Sequence, residues 1–563
     1  MSLTFRIGIA ALLVCVSYTT SGQSIYESYQ ERINDPYLAR DAKSVRTSSA
    51  FQIRSKNFFS TQVNVDANGE NIVGDAANEP SIAINPNNPL EMVIGWRQFD
   101  NIASDFRQAG FAYTIDGGRT WINNGPLEPE VFRSDPVLGV DNNGTFYYNS
   151  LSVDDLSSLS GFETDIFRST TIGEWDEGAF AFGGDKQWMA IGQLGEGNVR
   201  VFNRWSISFS ACAGDFTYSR DGGESYESCS STGEPSYLGT MAIGPEGRLY
   251  SAGYGSNETV SILRYDDALR TTDLQVSHSS SIQHLGSFAR SRAGVNPAGL
   301  LGQVEIEVNH AEGPYHGEVY VLNTADDIFR TDFSDVLFAK SSDFGETWSA
   351  LKRINDDNSI IADQWFGTMS VAPNGRIDVF WLDNRENEGE PISALYYSFS
   401  MDGGETWSEN ERLSPFFNSR VGWPQQMKMG DYFHSLSDDG GAHIAWAGTF
   451  NGEQDVYYGY AIPNLTTSSE EETYVQELKV SVIPNPIVAQ TEIKVDYDQE
   501  VFMSVYDISG VLLSPAAYRL KEGRTNVSLN EILRNQEIAS GTYFLLVEDQ
   551  NGNRVVSKML KMQ

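Results

Sequence analysis

The sequence has few basic residues, few histidines and few cysteines. Its 39 lysines and arginines stand against 76 aspartates and glutamates, which gives a formal net charge of −37. A surface this acidic repels phosphate groups, and this argues against nucleic acid as a partner. The chain has six histidines and three cysteines in all. With no spaced Cys/His set, a zinc centre and a histidine-driven mechanism are both disfavoured.

Long apolar runs are also scarce. Residues 7–17 form a short apolar stretch that follows Arg6 and precedes the small residues Ser21 and Gly22. This pattern is typical of a secretory signal peptide and is too short for a stable membrane span. We predict a signal peptide at 1–22, an exported mature chain and no transmembrane segment. Cys212 and Cys229 then flank one hairpin, and we expect a disulfide between them, the alternative being two buried free thiols.

Helical periodicity is missing over long windows, and short β-rich segments with glycine and asparagine turns take its place. One eight-residue phrase occurs four times, as TIDGGRTW, SRDGGESY, SSDFGETW and SMDGGETW at 114–121, 219–226, 341–348 and 400–407. We call these segments the repeated turns. In each, an aspartate can accept backbone hydrogen bonds, a glycine supplies positive φ, and the final Trp or Tyr can cover the turn. We expect a structural role for Asp116, Asp221, Asp343 and Asp402.

The repeated turns belong to longer units that open near residues 79, 135, 185, 234, 303, 363 and 430. Each unit reads as one four-stranded antiparallel sheet, and such a period is typical of a β-propeller. We predict an all-β chain with a seven-bladed propeller at 71–462, or a six-bladed one if the second or fourth unit is an insertion. An N-terminal extension or closing strand at 23–70, a linker at 463–478 and a small C-terminal β-sandwich at 479–563 complete the predicted organisation.

Two segments resemble known families. The repeated turns resemble the Asp-boxes, or BNR repeats, of the sialidase superfamily of propellers. The C-terminal segment resembles the sorting domain of the type IX secretion system, through IPNP at 483–486, VYDISG at 505–510, SGTYFL at 540–545 and the lysine-bearing end SKMLKMQ. The second resemblance implies the type IX machinery as a partner. It also implies a final location in the medium or on the outer-membrane surface of a Gram-negative bacterium.

The first resemblance implies a site at the openings of the first strands, on the face opposite the repeated turns. A sialidase clamps the substrate carboxylate with three arginines and uses a tyrosine nucleophile, a glutamate base and an aspartic acid. The matching positions are Arg97, Arg204 and Arg385 for the clamp, Tyr432 for the nucleophile, Glu234 or Glu305 for the base, and Asp100 or Asp105 for the acid. Residues 51–54 read FQIR and depart from the Phe/Tyr-Arg-Ile-Pro motif that usually carries the first arginine.

Carboxylates crowded at one mouth repel one another unless they are protonated, paired with arginine or bridged by a cation. Asp185, Asp363 and Asp431 therefore fit substrate binding, salt bridges between neighbouring sheets, or a structural Ca²⁺. No cofactor is required, and no particular metal is indicated. The leading hypothesis is a secreted sialidase-like glycoside hydrolase acting on glycans. The alternatives are a non-catalytic propeller that binds carbohydrate or protein at the cell surface, and an adhesin-like structural protein.

Overall fold

The computed structural model describes residues 35–39, 45–153, 161–195, 198–206, 210–233, 237–255, 259–283, 286–287, 294–327, 333–465, 479–488, 491–496, 501–508, 511–514, 518–521, 526–549 and 554–562. The predicted signal peptide and Glu234 lie outside these residues. The chain divides into two compact units, Met1–Asn464 and Leu465–Gln563. The described residues are almost entirely β-structure with one short helix, which confirms the all-β prediction.

The first unit begins with four short strands, β1 (Arg46–Ser48), β2 (Gln52–Arg54), β3 (Phe58–Gln62) and β4 (Asn71–Val73). Seven antiparallel sheets then follow in chain order. The first contains β5 (Ala76–Ile84), β6 (Met92–Phe99), β7 (Gln108–Thr114) and β8 (Ile122–Pro126). The second contains β9 (Ser134–Val140), β10 (Phe146–Val153), β11 (Phe162–Ser169) and β12 (Ala179–Phe180). The third contains β13 (Trp188–Gln193), β14 (Val199–Arg204) and β15 (Phe216–Ser219).

The next three sheets also follow one another along the chain. The fourth contains β16 (Met241–Ile243), β17 (Leu249–Tyr254), β18 (Thr259–Tyr265) and β19 (His278–Gln283). The fifth contains β20 (Gly286–Ser287), β21 (Glu305–Val308), β22 (Val319–Asp327), β23 (Ser334–Ser341) and β24 (Lys352–Arg353). The sixth contains β25 (Gln364–Val371), β26 (Ile377–Asp383), β27 (Ile392–Ser400), β28 (Glu411–Arg412) and β29 (Phe417–Asn418).

The seventh sheet joins the two ends of the first unit. It contains β30 (His434–Ser437), β31 (Ala442–Gly448) and β32 (Asp455–Ala461), and β3 and β2 extend it at the outer edge. We call one strand of each sheet its first strand, and in sheet order these are β5, β9, β13, β16, β21, β25 and β30. Each first strand contacts the next in this order, and β30 contacts β5, so they form a closed ring. Since each sheet is covered by neighbours on both faces, a strand such as β26 (IDVFWLD) is buried at every position.

The repeated turns of the first, third, fifth and sixth sheets all have the same pattern of hydrogen bonds. In the fifth sheet, the Asp343 carboxylate accepts from Ser341 Oγ at 2.7 Å, from Thr347 N at 2.8 Å and from Thr347 Oγ1 at 2.5 Å. The Gly345 amide donates back to Ser341 Oγ at 2.8 Å. Equivalent bonds surround Asp116, Asp221 and Asp402. One carboxylate thus holds each hairpin end closed.

Each repeated turn packs on the sheet that precedes it around the ring. A Cβ placed on Gly118 would lie 2.2 Å from the ring of Tyr458 in the seventh sheet, and one on Gly404 would lie 2.3 Å from Phe338 in the fifth. Both glycines also have φ near 80°, which side chains resist. Strand register places these turns at the end of each sheet opposite the start of its first strand. The repeated turns therefore join adjacent sheets on one face of the ring.

The repeated turns should make the fold sensitive to acid. Burial raises the pKa of Asp343, but hydrogen bonds from Thr347 and Ser341 outweigh it and lower the pKa to about 2. A carboxyl whose pKa is lower in the fold stabilises above its unfolded pKa of ~4, and this contribution disappears as the pH falls through the folded pKa. We expect the difference in urea midpoint between the wild type and Asp343→Asn to narrow from pH 6 to pH 2.5. Exposed Glu388→Gln should show no such difference at either pH, and a constant difference for Asp343→Asn would contradict this reading.

The second unit has two sheets around its own core. One contains β33 (Lys479–Ile483), β34 (Glu492–Asp496) and β37 (Asn526–Ser528), and the other contains β36 (Tyr518–Leu520), β35 (Val501–Asp507), β38 (Gly541–Asp549) and β39 (Arg554–Lys561). The helix α1 (Leu529–Ile532) follows β37. The core includes Ile493, Val505, Leu545 and Met559, each fully buried.

Candidate functional site

A residue with positive φ occurs near the start of the first strand in each of the seven sheets. Values of φ between 48° and 144° occur at Glu79, Asp135, Lys186, Leu238, Gly302, Phe366 and Gly430. In three of the sheets the strand register shifts at this point, as it does in a β-bulge. Positive φ is costly for residues other than glycine and tends to occur where a structure needs a side chain in a special direction. The first three sheets place a charged residue there.

These charged residues form a buried cluster near the start of the first strands. We call it the charged cluster, and it consists of Glu79, Arg97, Asp135, Lys186, Lys428 and Asp431. Lys186 Nζ lies 3.0 Å from Asp135 Oδ2 and 2.7 Å from Asp431 Oδ2. Lys428 Nζ lies 2.9 Å from Asp431 Oδ2. The lysines thus join the second and third sheets to the segment that leads into the seventh.

Glu79 and Arg97 complete the charged cluster in the first sheet. Arg97 Nη1 lies 3.3 Å from Glu79 Oε1, and Arg97 Nε donates to Asn78 Oδ1 at 2.9 Å. Arg97 also donates to Gln426, whose amide donates to Asp105. Gly430 approaches so closely that a Cβ there would lie 2.4 Å from Glu79 Cγ. The close approach explains why this position in the seventh unit is a glycine.

The cluster shifts the pKa values of its members in opposite directions. Burial raises the pKa of Glu79 to about 8, with Asp135 adding to the effect and Arg97 opposing it. Burial also acts to raise the pKa of Asp135, but Lys186 and Arg97 outweigh it and lower the pKa to about 2. Lys186 and Lys428 likewise lower the pKa of Asp431 well below its usual value, so Asp135 and Asp431 are carboxylates that face ammonium groups. The arrangement stabilises charge inside the ring and keeps these groups bound to one another.

The three arginines of the predicted clamp bind different carboxylates of the protein. Arg97 is paired with Glu79, as above. Arg204 lies 3.4 Å from Asp215 and donates to Ser251 Oγ at 2.5 Å. Arg385 lies 2.8 Å from Asp383 and 2.6 Å from Asp356, and its guanidinium stacks over Tyr396 at 4.6 Å. These residues belong to the first, third and sixth sheets, so a substrate carboxylate would have to displace three separate ion pairs.

Tyr432, the predicted nucleophile, has a buried side chain that is hydrogen-bonded to the backbone. Its side chain is 2% exposed, and its hydroxyl donates to the Pro136 carbonyl at 2.8 Å. Its ring meets Trp188 edge-on at 5.6 Å. Burial holds the pKa of Tyr432 well above its usual value, and Glu79 and Asp135 raise it further. A phenol in this environment is a poor nucleophile, because the phenolate is strongly disfavoured.

The predicted base Glu305 lies on β21 of the fifth sheet, beside Glu307 on the same strand. Burial raises the pKa of Glu305 well above its usual value, and Glu307 raises it further. Burial also raises the pKa of Glu307 to about 8. Burial therefore favours the protonated form of both carboxyls. They are suited to donating a proton rather than to activating a tyrosine.

The predicted acids and substrate-binding aspartates are distributed around the ring. Asp100 accepts from Tyr37 Oη at 3.1 Å and from Gln98 Nε2 at 2.8 Å. Asp363 accepts from Ser334 Oγ at 3.2 Å and is buried. Asp185 is partly accessible, with its side chain 30% exposed and 3.7 Å from Lys186 Nζ. Asp431 is the one member of this set that belongs to the charged cluster.

A structural Ca²⁺ was one sequence-based alternative for the crowded carboxylates. In the structure, the carboxylates of the charged cluster contact lysine and arginine side chains. Within the described ranges, no group of three or more His, Cys, Asp or Glu side chains is arranged to hold a metal ion. The structure also joins Cys212 to Cys229 by a disulfide with Cα atoms 6.6 Å apart. This bond encloses the repeated turn of the third sheet.

Lys428 and Gln426 are site residues that the sequence did not point to. They lie in the segment MKMGDY and just before it, about 330 residues from Arg97 in the chain. The sequence did contain one signal for Lys428, which precedes Asp431 by three residues. A buried aspartate needs a counter-charge, and this lysine could supply it.

Comparison with known proteins gives a family for the C-terminal segment. Residues 481–562 match the secretion system C-terminal sorting domain. No curated protein matches the chain. No described helix has the length and apolar composition to cross a membrane.

Several solved structures are similar to the chain at low identity. A protein of unknown function from Dyadobacter fermentans DSM 18053 is 15% identical, with 73% of this chain and 99% of that chain covered and a TM-score of 0.43. Trypanosoma rangeli sialidase with the inhibitor DANA is 11% identical, with 92% and 89% covered and a TM-score of 0.38. An ulvan lyase of polysaccharide lyase family PL25 is 10% identical, with 69% and 94% covered and a TM-score of 0.36. The match of residues 481–562 to the sorting domain indicates a bacterial protein that the type IX system exports to the cell surface or the medium.

Proposed function

We propose that the mature protein is a seven-bladed propeller of the Asp-box type that binds glycans at the surface of a Gram-negative cell, or in its medium, without cleaving them. The observation that supports this most directly is the environment of Tyr432. Its hydroxyl is buried on the Pro136 carbonyl, and the arginines that would hold a substrate carboxylate are bound to Glu79, Asp215 and Asp383. The parts of a sialidase site are present as residue types but serve the scaffold.

The closed ring of first strands and the four repeated turns support the propeller part of this proposal. Glycans are the ligand class that the Asp-box resemblance implies. The C-terminal unit serves for export through the type IX machinery and has the two sheets expected of a small β-sandwich.

Sialidase-like hydrolysis is the second candidate, and one observation favours it. Glu305 and Glu307 lie two residues apart on one strand, and both have a raised pKa. Protonated carboxyls of this kind can act as general acids. Catalysis would still require Tyr432, or another nucleophile, to leave its buried position.

Tyr432→Phe distinguishes the two candidates. We expect the wild type to release no sugar from sialosides or from plant and algal glycans, and to bind members of a glycan array. Tyr432→Phe should retain that binding, because the hydroxyl serves the Pro136 carbonyl rather than a ligand. A reducing-sugar assay and the same array measure both properties. Sugar release by the wild type would overturn the proposal in favour of hydrolysis, and loss of that release in Tyr432→Phe would assign the nucleophile. The absence of both released sugar and bound glycan would reject both candidates.

A further inference from the structure

One face of β21 carries polar side chains that lie inside the ring. Gln303, Glu305 and Glu307 alternate with Val304 and Ile306 in the segment QVEIE, and alternate residues of a strand point to opposite faces of the sheet. Val304 and Ile306 pack with the core of the fourth sheet. The three polar side chains therefore point the other way, toward the sixth sheet. We call them the polar row.

The polar row is buried without the partners that its groups need. Gln303 is 1% exposed, and its amide oxygen and nitrogen have no hydrogen-bond partner among the described residues. Glu305 is 4% exposed, and in the same part of the chain neither its carboxyl nor that of Glu307 pairs with a lysine or arginine. A buried polar group without a partner costs free energy, so an ion or a water is expected beside it.

Other buried carboxylates of the first unit follow a different pattern. Asp135 lies 3.0 Å from Lys186, and Asp378 lies 2.8 Å from Arg376. In both cases the chain itself supplies the counter-charge that a buried carboxylate requires. In the polar row the charge that acts on Glu305 is that of Glu307, which has the same sign. The missing counter-charge therefore points to a cation from outside the chain.

The surroundings of the polar row are apolar, but a route from solvent remains. Glu305 pairs with Leu322 across the sheet, and Leu322 belongs to one core cluster with Met369 of the sixth sheet. Glu307 lies two residues further along β21, toward the repeated turns, and is partly exposed. A small cation can reach the row at Glu307, whereas a large ligand would have to separate the two sheets.

We propose that the polar row binds one Ca²⁺ ion on the side of β21 that faces the sixth sheet. Residues two apart on one strand face are roughly 7 Å apart, so both glutamate carboxyls can reach one ion. They supply up to four oxygens and Gln303 a fifth, and Ca²⁺ takes about six to eight in flexible geometry. A third acidic residue is therefore not required. Mg²⁺ fits less well because it demands octahedral geometry, and Zn²⁺ prefers nitrogen and sulfur ligands.

The inference goes beyond the proposed function, because it concerns a metal ion and uses no residue of the charged cluster. A Ca²⁺ ion held by both glutamates would leave neither of them as a proton donor. It therefore counts against Glu305 and Glu307 as the general acids of the second candidate.

Titration calorimetry of the full mature chain with CaCl₂ and MgCl₂ tests the proposal. NaCl at about 150 mM screens the general attraction of cations to this acidic surface. We expect one saturable Ca²⁺ site per chain, with a dissociation constant of about 0.1–1 mM, the range of extracellular calcium modules. Mg²⁺ should bind at least tenfold more weakly. The absence of a saturable Ca²⁺ site would overturn the proposal, and equal affinity for Mg²⁺ would overturn the assignment to Ca²⁺.

Variants locate the site. The double variant Glu305→Gln/Glu307→Gln keeps the size of both side chains and removes their charge, and it should weaken Ca²⁺ binding at least tenfold. Gln303→Met should weaken it several-fold, because a thioether replaces the amide oxygen. Glu312→Gln is the matched control, since Glu312 is exposed in the β21–β22 connection of the same sheet. Wild-type affinity in the double variant, or equal weakening in Glu312→Gln, would overturn the site.

Thermal unfolding gives a second measurement on the wild type. A ligand that binds only the folded state raises the unfolding midpoint. CaCl₂ at ten times the dissociation constant should raise the midpoint of the first unit above its value in EDTA, and the same concentration of MgCl₂ should raise it less. If the double variant fails to fold, Glu307→Gln replaces it, because Glu307 is partly exposed. Equal midpoints in CaCl₂ and EDTA would overturn the proposal.

Discussion

Lys186→Met is expected to lower the free energy of unfolding of the first unit by about 3–5 kcal/mol, which is the cost of leaving one partner of a buried ion pair uncompensated. Lys186 Nζ lies within 3.0 Å of both Asp135 and Asp431, whose side chains are each 3% exposed. Methionine keeps the length of the side chain and, like lysine, must adopt positive φ at this position. The loss therefore reports the missing charge rather than a change in backbone strain.

Urea unfolding followed by tryptophan fluorescence measures this effect. Lys340→Met is the matched control, since Lys340 pairs with Glu405 at 2.7 Å where the glutamate side chain is 66% exposed. Solvent screens an exposed pair of this kind, so it contributes little to stability. Adding Asp135→Asn to Lys186→Met should recover part of the loss, because one of the stranded carboxylates is removed. If Lys186→Met costs no more than Lys340→Met, the charged cluster does not hold the sheets together.

The local features of this fold follow from the sequence because they depend on residues close together in the chain. The hydrogen bonds around Asp343 join positions 341 to 347, so the phrase itself carries the information. Strand periodicity and turn composition likewise predict an all-β chain. The C-terminal sorting domain is predicted from its motifs and confirmed by the match at 481–562.

The site was harder to predict because its members are brought together from distant parts of the chain. An arginine after an aromatic residue fits equally well a substrate clamp or an internal ion pair. Only the folded position of Glu79, 3.3 Å from Arg97, separates the two. The burial of Tyr432 depends in the same way on Pro136 and Trp188 from other sheets. The left-handed backbone of Glu79 has no sequence signal, because positive φ is expected of glycine rather than of glutamate.

Removal of the N-terminal segment through Gln62 is expected to abolish cooperative folding of the first unit. This deletion removes β1, β2 and β3, and β3 pairs with β32 from Phe58↔Ala461 to Gln62↔Tyr457. The seventh sheet would lose its outer strands, and the edge of β32 would present unpaired backbone groups that favour aggregation. Soluble yield, near-ultraviolet circular dichroism and limited proteolysis measure the outcome. Removal of the second unit after Asn464 is the matched control and should leave the first unit folded, since the two units are separately compact.

Phe58→Ala tests the same closure without deleting any backbone. Phe58 is 2% exposed, and its ring packs so closely on Gly459 that a Cβ there would lie 2.8 Å away. Truncation of a buried phenylalanine costs about 3–5 kcal/mol. Because β3 is the strand that joins the two ends of the ring, the loss should appear as a lower midpoint for the whole first unit rather than as local fraying. Suppose instead that hydrogen exchange becomes faster only at residues 58–62 while the unfolding midpoint of the first unit is unchanged. The ring would then be stable without its N-terminal strand.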